Sequence, residues 1–346
     1  VRRLFGILPL ALIALVLIPA CGDDGSPVDD GNDQFTTRDI RDVDYVDNKF
    51  FYIDHPDEYV GPEPLTIKVY RSMLPQDPPV PSNVGWAVPD PLGCGDAMLT
   101  LVAQLNTGQT PTNAIQQDFV LLDDDEYTLI YGDGGLIIGL ELRDAIPAAE
   151  LRTLAVSYVS LDGWPVGGTY LHYGVLPSVP GYGVDNLILE MLKAPDPDPQ
   201  GPFAETWDLE MRRVYDLGAK NIDGSSLEIT VLDVLSQRAE PWIPEGATVP
   251  YLQIFGLDQT GTSGSGPSDG RIDLARVDLR NGLLFFPEAR AFNPEAPLVD
   301  AWTGGQFSFT GAYQAQFDVS GAIYTEKLTP IRTEEVHQYL IRVRSK

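Results

Sequence analysis

Proline and glycine cut this chain into short pieces. They supply 29 and 33 of its 346 residues. Proline removes a backbone donor and fixes φ, and glycine weakens helices and strands alike. Short strands joined by turns are therefore favoured over long helices. Between the breaks lie short segments rich in β-branched and aromatic residues: 49–53, 65–70, 118–122, 127–131, 136–142 and 153–159. Gly132-Asp133-Gly134-Gly135 has the composition of a hairpin turn, and residues 98–105 and 187–192 are further apolar runs. Short strands at regular intervals predict a mostly β fold with few short helices: a sandwich-like first domain and a second β-rich domain. Residues 145–151 suit one helical turn. Residues 195–199, with three prolines, break any regular structure. Residues 207–218 read either as a strand, with Trp207, Leu209 and Met211 alternating, or as a helix capped by Gly218. The alternation favours a strand. Residues 227–232 and 282–286 are clearer strands, the latter after an Asn-Gly turn. The alternating aromatics of 306–319 suit a half-buried strand, since one or two such segments cannot close a membrane barrel.

The amino-terminal segment sets an address. Arg2 and Arg3 precede an apolar run, and Pro19-Ala20-Cys21-Gly22 follows it. This is the layout of a bacterial secretory signal ending in a lipoprotein cleavage box. Cleavage before Cys21 leaves a lipidated cysteine, and Gly22 rather than Asp after it favours the outer membrane. Each buried lipid CH₂ contributes about 0.8 kcal/mol, so stable anchoring takes more than one chain. The expected organisation is a signal peptide over 1–20, a flexible acidic tether over 21–46, a sandwich-like domain over 47–185 and a β-rich domain over 186–346. The tether is Asp- and Gly-rich and too poor in apolar residues to offset its ordering entropy.

The formal net charge is −27. Such a field disfavours nucleic acid and anionic lipid surfaces as partners. With Cys21 lipidated, Cys94 is the remaining cysteine, so no internal disulfide forms. In its Pro-Leu-Gly-Cys-Gly-Asp setting Cys94 reads as a small packed residue, with an intermolecular bridge as the alternative.

Two long passages resemble the SprA family, very large outer-membrane proteins of gliding motility and type 9 secretion. The first runs through Phe119-Val120-Leu121-Leu122, Tyr127, Gly135-Leu136-Ile137 and Leu154-Ala155-Val156-Ser157-Tyr158. The second begins at Leu187-Ile188-Leu189 and continues through Thr206-Trp207-Asp208-Leu209-Glu210-Met211-Arg212-Arg213-Val214-Tyr215-Asp216-Leu217-Gly218-Ala219. It then takes in Leu227-Glu228-Ile229, Tyr251-Leu252-Gln253, Gly256-Leu257-Asp258, Ser268-Asp269-Gly270, Asp273 and Asn281-Gly282-Leu283-Leu284-Phe285-Phe286-Pro287. This order is similar to that family's N-terminal region domain. The likeness spans residues 115–345, with a weaker match in the tail. Translocon members are many times longer and carry a giant barrel, which this chain cannot build, so the protein-conducting activity is not carried over. The resemblance implies an extramembrane β-rich module, structural or accessory to secretion or surface motility, with outer-membrane barrel or secretion components as partners.

The candidate metal site is the oxygen-rich loop holding Asp258, Asp269 and Asp273, with Asp278 beyond it. Calcium takes six to eight oxygen ligands in flexible geometry, but the spacing is not that of an EF-hand. The competing reading is an acidic β-turn held by Asx hydrogen bonds. Asp123-Asp124-Asp125-Glu126 reads as a solvated loop. Trp86, Trp164 and Trp242 lie beside Pro or Gly, and suit either a glycan-stacking platform or packing. Trp207 reads as core. The histidines, His55, His172 and His337, fall in no recognisable catalytic spacing, so no enzyme activity is expected. The alternative function is a glycan-binding or adhesin-type surface lipoprotein.

Overall fold

The structure, a computed structural model, describes residues 28–29, 35–54, 66–78, 83–89, 100–101, 104, 107, 109, 111–132, 135–160, 165–169, 187–241, 249–261, 264–292 and 321–346. The fold is mostly β, with several small sheets and short helices. The strands in the first half are β1 (Val28–Asp29), β2 (Thr36–Arg41), β3 (Phe50–Tyr52), β4 (Lys68–Ser72), β5 (Asn83–Val88), β6 (Ile115–Leu121), β7 (Tyr127–Tyr131), β8 (Ile137–Leu142) and β9 (Leu154–Val159). They continue as β10 (Pro165–Val166), β11 (Gly168–Thr169), β12 (Leu187–Lys193), β13 (Val214–Asp216), β14 (Glu228–Asp233), β15 (Val277–Asp278), β16 (Leu283–Phe285) and β17 (Tyr339–Ser345). The helices are α1 (Tyr251–Ile254), α2 (Ala322–Thr325) and α3 (Pro330–Val336), with a 3₁₀ segment at Ala204–Leu209.

The largest sheet curls back on itself. β9 pairs with β4, β4 with β6, β6 with β5, β5 with β12 in parallel, and β12 with β9. This ring closes a small five-stranded barrel. Its interior is filled by Tyr70, Ala87, Phe119 and Ala155 from four strands and by Leu187, Leu189 and Met191 from β12. The bore is tight, since a Cβ on Gly85 would stand 2.8 Å from the Leu187 carbonyl. Residues of opposite parity face outward. There Val69, Val156, Ile188 and Leu192 pack against Phe50, Leu140 and Leu142 of a second sheet, ordered β3-β8-β7. The first unit is thus sandwich-like, a small sheet laid on one wall of a closed ring. A side chain at Gly139 has no room, its Cβ falling 2.2 Å from the Phe51 carbonyl oxygen.

The second unit has the sheets β1-β2-β17-β14 and β13-β16-β15. Their core is aromatic. Phe292 stacks on Tyr339 at 5.4 Å and meets Phe255 edge-on at 5.0 Å, while Tyr215 meets Phe286 at 5.4 Å. Edge-to-face and offset geometries of this kind suit the ring quadrupole. The expected Asn-Gly turn is present. Gly282 has φ +71°, and a Cβ there would collide with the Ala219 carbonyl.

Two expected boundaries are corrected. The tether does not extend to residue 46: β2 pairs along β17 at six positions, from Arg41–Leu340 to Thr36–Ser345. Nor does the chain divide at 185/186, because β12 closes the first unit's ring and β2 belongs to the second unit's sheet. The strand expected from Trp207 is also corrected. Trp207 and Leu209 lie in the 3₁₀ segment, and extended pairing starts only at Val214.

Candidate functional site

Four aspartates were the metal candidates, and the fold uses each to hold a turn. Asp258 is fully buried. Its carboxylate accepts the N–H groups of Asp269 (3.1 Å) and Gly270 (2.9 Å), and the Gln253 amide at 3.3 Å. Burial raises its pKa, against those bonds, which lower it. Asp273 accepts the Gln259 and Thr260 N–H groups at 2.9 and 3.3 Å and the Thr260 hydroxyl at 2.8 Å. Asp278 accepts from Arg280 N, Asn281 N and Asn281 Nδ2. Asp269 is exposed and accepts the Arg271 N–H. The Asp269 and Asp278 bonds are local Asx-type contacts, whereas Asp258 and Asp273 cross-brace the two ends of the loop over 11 to 14 residues. Among the described residues no three His, Cys, Asp or Glu side chains are grouped to hold a metal ion.

Trp86 lies within β5, opposite Gln116 and Ile188, and is half-buried against the core of the first unit. It is a packing residue on a strand. Asp123, Asp124 and Asp125 are exposed, and Glu126 closes their turn by accepting the Asp123 N–H at 2.7 Å. Cys21, Cys94, Trp164, Trp242, Trp302, His55, His172 and the segment 306–319 lie outside the described residues.

The block from Trp207 to Arg212 builds the most elaborate polar site among the described residues. Arg212 is 1% exposed. Its guanidinium lies 3.9 Å from the centre of the Trp207 ring and donates to the Trp207 carbonyl (2.5 Å), Glu210 (3.0 Å) and the Tyr45 hydroxyl (3.2 Å). Glu210 also accepts the Asn48 N–H at 2.6 Å. Trp207 donates its indole N–H to the Tyr324 carbonyl at 2.8 Å. Met211 N–H bonds the Phe50 carbonyl at 2.9 Å. One short segment therefore ties the 45–48 loop, β3 and α2 together. Burial, then the Glu210 charge, pushes the Tyr45 pKa up.

Beside this block opens a cleft of about 500 Å³. The 43–48 loop, residues 195–197 and the α2–α3 connection form its walls, and Trp207, Glu210 and Lys193 line it. Lys193 ends β12 and is 5% exposed. A bulge places it: Met191 pairs with Ala155, but Lys193, not Leu192, pairs with Leu154. The inserted residue moves Lys193 off the face that fills the barrel, as a one-residue shift must. Its Nζ donates to the carbonyls of Arg152 (3.2 Å) and Ala194 (3.4 Å). Burial lowers its pKa, with Glu210 opposing. Sequence reading missed this residue, because no local pattern announces the bulge.

The chain matches no family model and no curated protein.

Proposed function

We propose that this chain is an outer-membrane lipoprotein, anchored through Cys21, whose body is a SprA-type extramembrane module with a structural or accessory role in secretion or gliding motility. The observation that carries the reading is convergence. The segments on which the resemblance rests are scattered from Thr206 to Pro287, yet Tyr215, Leu217, Leu227, Ile229, Tyr251, Leu252, Leu257, Leu284 and Phe286 share one core. A set of motifs that packs into one body behaves as a module rather than as scattered coincidences. β2, which follows the proposed anchor in the chain, belongs to that same core through Ile40. The glycan-binding alternative loses Trp86, which is packed in the ring wall.

Two measurements test this. Cys21→Ser is expected to move the protein from the membrane fraction to the soluble fraction, and retention at the membrane sinks the anchor. Affinity capture of the tagged, anchored protein is expected to recover outer-membrane barrel or secretion components. Recovery of none, with specific retention on polysaccharide, replaces this reading by the adhesin one.

A further inference from the structure

We propose that the cleft beside Trp207 binds a carboxylate through the ammonium group of Lys193, either the free carboxylate end of a peptide or a small carboxylic acid. The argument starts from charge balance inside the cleft. Each acidic side chain that lines it, Asp47 apart, is paired with a cation. Asp44 is paired with Arg41, Asp196 with Lys327, Glu326 with Arg332 and Glu210 with Arg212. Asp47 is held by the Asn48 amide. Lys193 is the exception among the cations. The residue is almost wholly buried, its hydrogen bonds go to two carbonyls at long distances, and Glu210 and Asp196 act on it only through space, with no ion pair to either among the described residues.

A buried ammonium without a carboxylate in direct contact is costly, and a ligand carboxylate seated against it would offset that cost. A neutral side chain of similar length would fill the same space at lower cost. The bulge in β12 adds to the case. Without it Lys193 would share the parity of Met191 and point into the barrel; with it the side chain lines the cleft. Ligand sites combine apolar walls with a few placed polar groups. Here Val43, Leu151, Ile323 and Leu328 supply apolar surface in the cleft. A volume of about 500 Å³ holds a ligand of a few residues at most.

The test uses the full chain and calorimetric titration with three probes: N-acetyl-dialanine with a free carboxylate, the same peptide as its terminal amide, and succinate. The acid peptide or succinate is expected to bind at least about tenfold more tightly than the amide, and Lys193→Met is expected to bring the acid down to the amide's level. Binding of the acid peptide but not succinate assigns a chain end. Binding of succinate alone assigns a small acid, and binding of both assigns the carboxylate group itself. Equal binding of acid and amide overturns the proposal, as does unchanged affinity in Lys193→Met, or no binding by either carboxylate. The acid–amide comparison on the unmutated protein needs no variant to fold.

Discussion

Asp42 lies just past β2 and is 3% exposed. One carboxylate oxygen accepts the N–H groups of Gln338 (2.9 Å) and Tyr339 (3.1 Å) at the entry to β17. Burial pushes its pKa from the ordinary 3.8 up to about 7, against those two bonds and with Asp44 adding to the rise. The folded protein then holds a proton, between 3.8 and about 7, that the unfolded chain has released. The stability from this group is full below the ordinary carboxylate value and is lost as pH rises through the folded one. The displacement corresponds to roughly 4 kcal/mol as an upper bound. Asp42→Asn keeps an acceptor for the two amides and cannot ionise. Its stability relative to the parent is expected to rise by a few kcal/mol between pH 4.5 and pH 8, read by urea unfolding. A difference that does not change with pH would mean that Asp42 stays ionised throughout, with its burial compensated elsewhere. A similar balance governs Asp258, whose buried carboxylate is held by two backbone amides and the Gln253 amide.

The 3₁₀ segment and the turn after it work through Arg212. Removing one partner of a buried ion pair leaves the other charged and uncompensated, and costs about 3–5 kcal/mol. Arg212→Met is expected to lose about that much stability, because Glu210 and the Trp207 carbonyl lose their donor. The double variant with Glu210→Gln is expected to recover part of the loss. A thermal-denaturation double-mutant cycle with no coupling between the two would show that the pair is not energetically linked. This segment also marks where sequence reading fails. Trp207, Leu209 and Met211 alternate and are all buried, which is the pattern of a strand, but tertiary contacts to α2 and β3 impose a 3₁₀ turn instead. The hairpin β7–β8 was readable because its pattern and its Gly132–Gly135 turn are both local. β2 was unreadable for the opposite reason. Its sequence is Thr-Thr-Arg-Asp-Ile-Arg, with one apolar side chain, and its order comes from a strand at the far end of the chain. There Arg342 clasps Asp39 through two bonds of 2.7 Å. The ring closure was equally hidden, since the β5–β12 pairing is parallel and long-range. Of the candidate sites, the local bonds of Asp269 and Asp278 were readable, while the long-range bracing by Asp258 and Asp273 and the cleft, which depends on a bulge, are encoded by no local pattern.

The two units are threaded through each other, and this sets how the protein unfolds. The first unit's core includes Leu209, Met211, Val214 and Leu283 from the second half of the chain. The N–H of Val46 donates to the Val214 carbonyl at 2.8 Å, and Phe51 bridges Glu210. In the other direction β2, from the chain's beginning, covers one side of β17, whose other side is paired with β14. Neither a fragment 47–185 nor a fragment 186–346 has its larger sheet complete: the first lacks β12 and the second lacks β1 and β2. Units that share strands and core residues lose their contacts together, so a single cooperative transition is expected. Tryptophan fluorescence and far-ultraviolet circular dichroism should report the same urea midpoint. Residues 186–346 expressed alone should show no cooperative unfolding. A chain starting at residue 47 should unfold at a lower midpoint than the parent, because β17 then has a bare edge in place of six paired positions. Two separate midpoints, or a cooperative transition in 186–346 alone, would show that the halves fold independently and that the shared strands are late additions to finished domains. Coincident midpoints would make the leader-proximal strand β2 part of the folding unit.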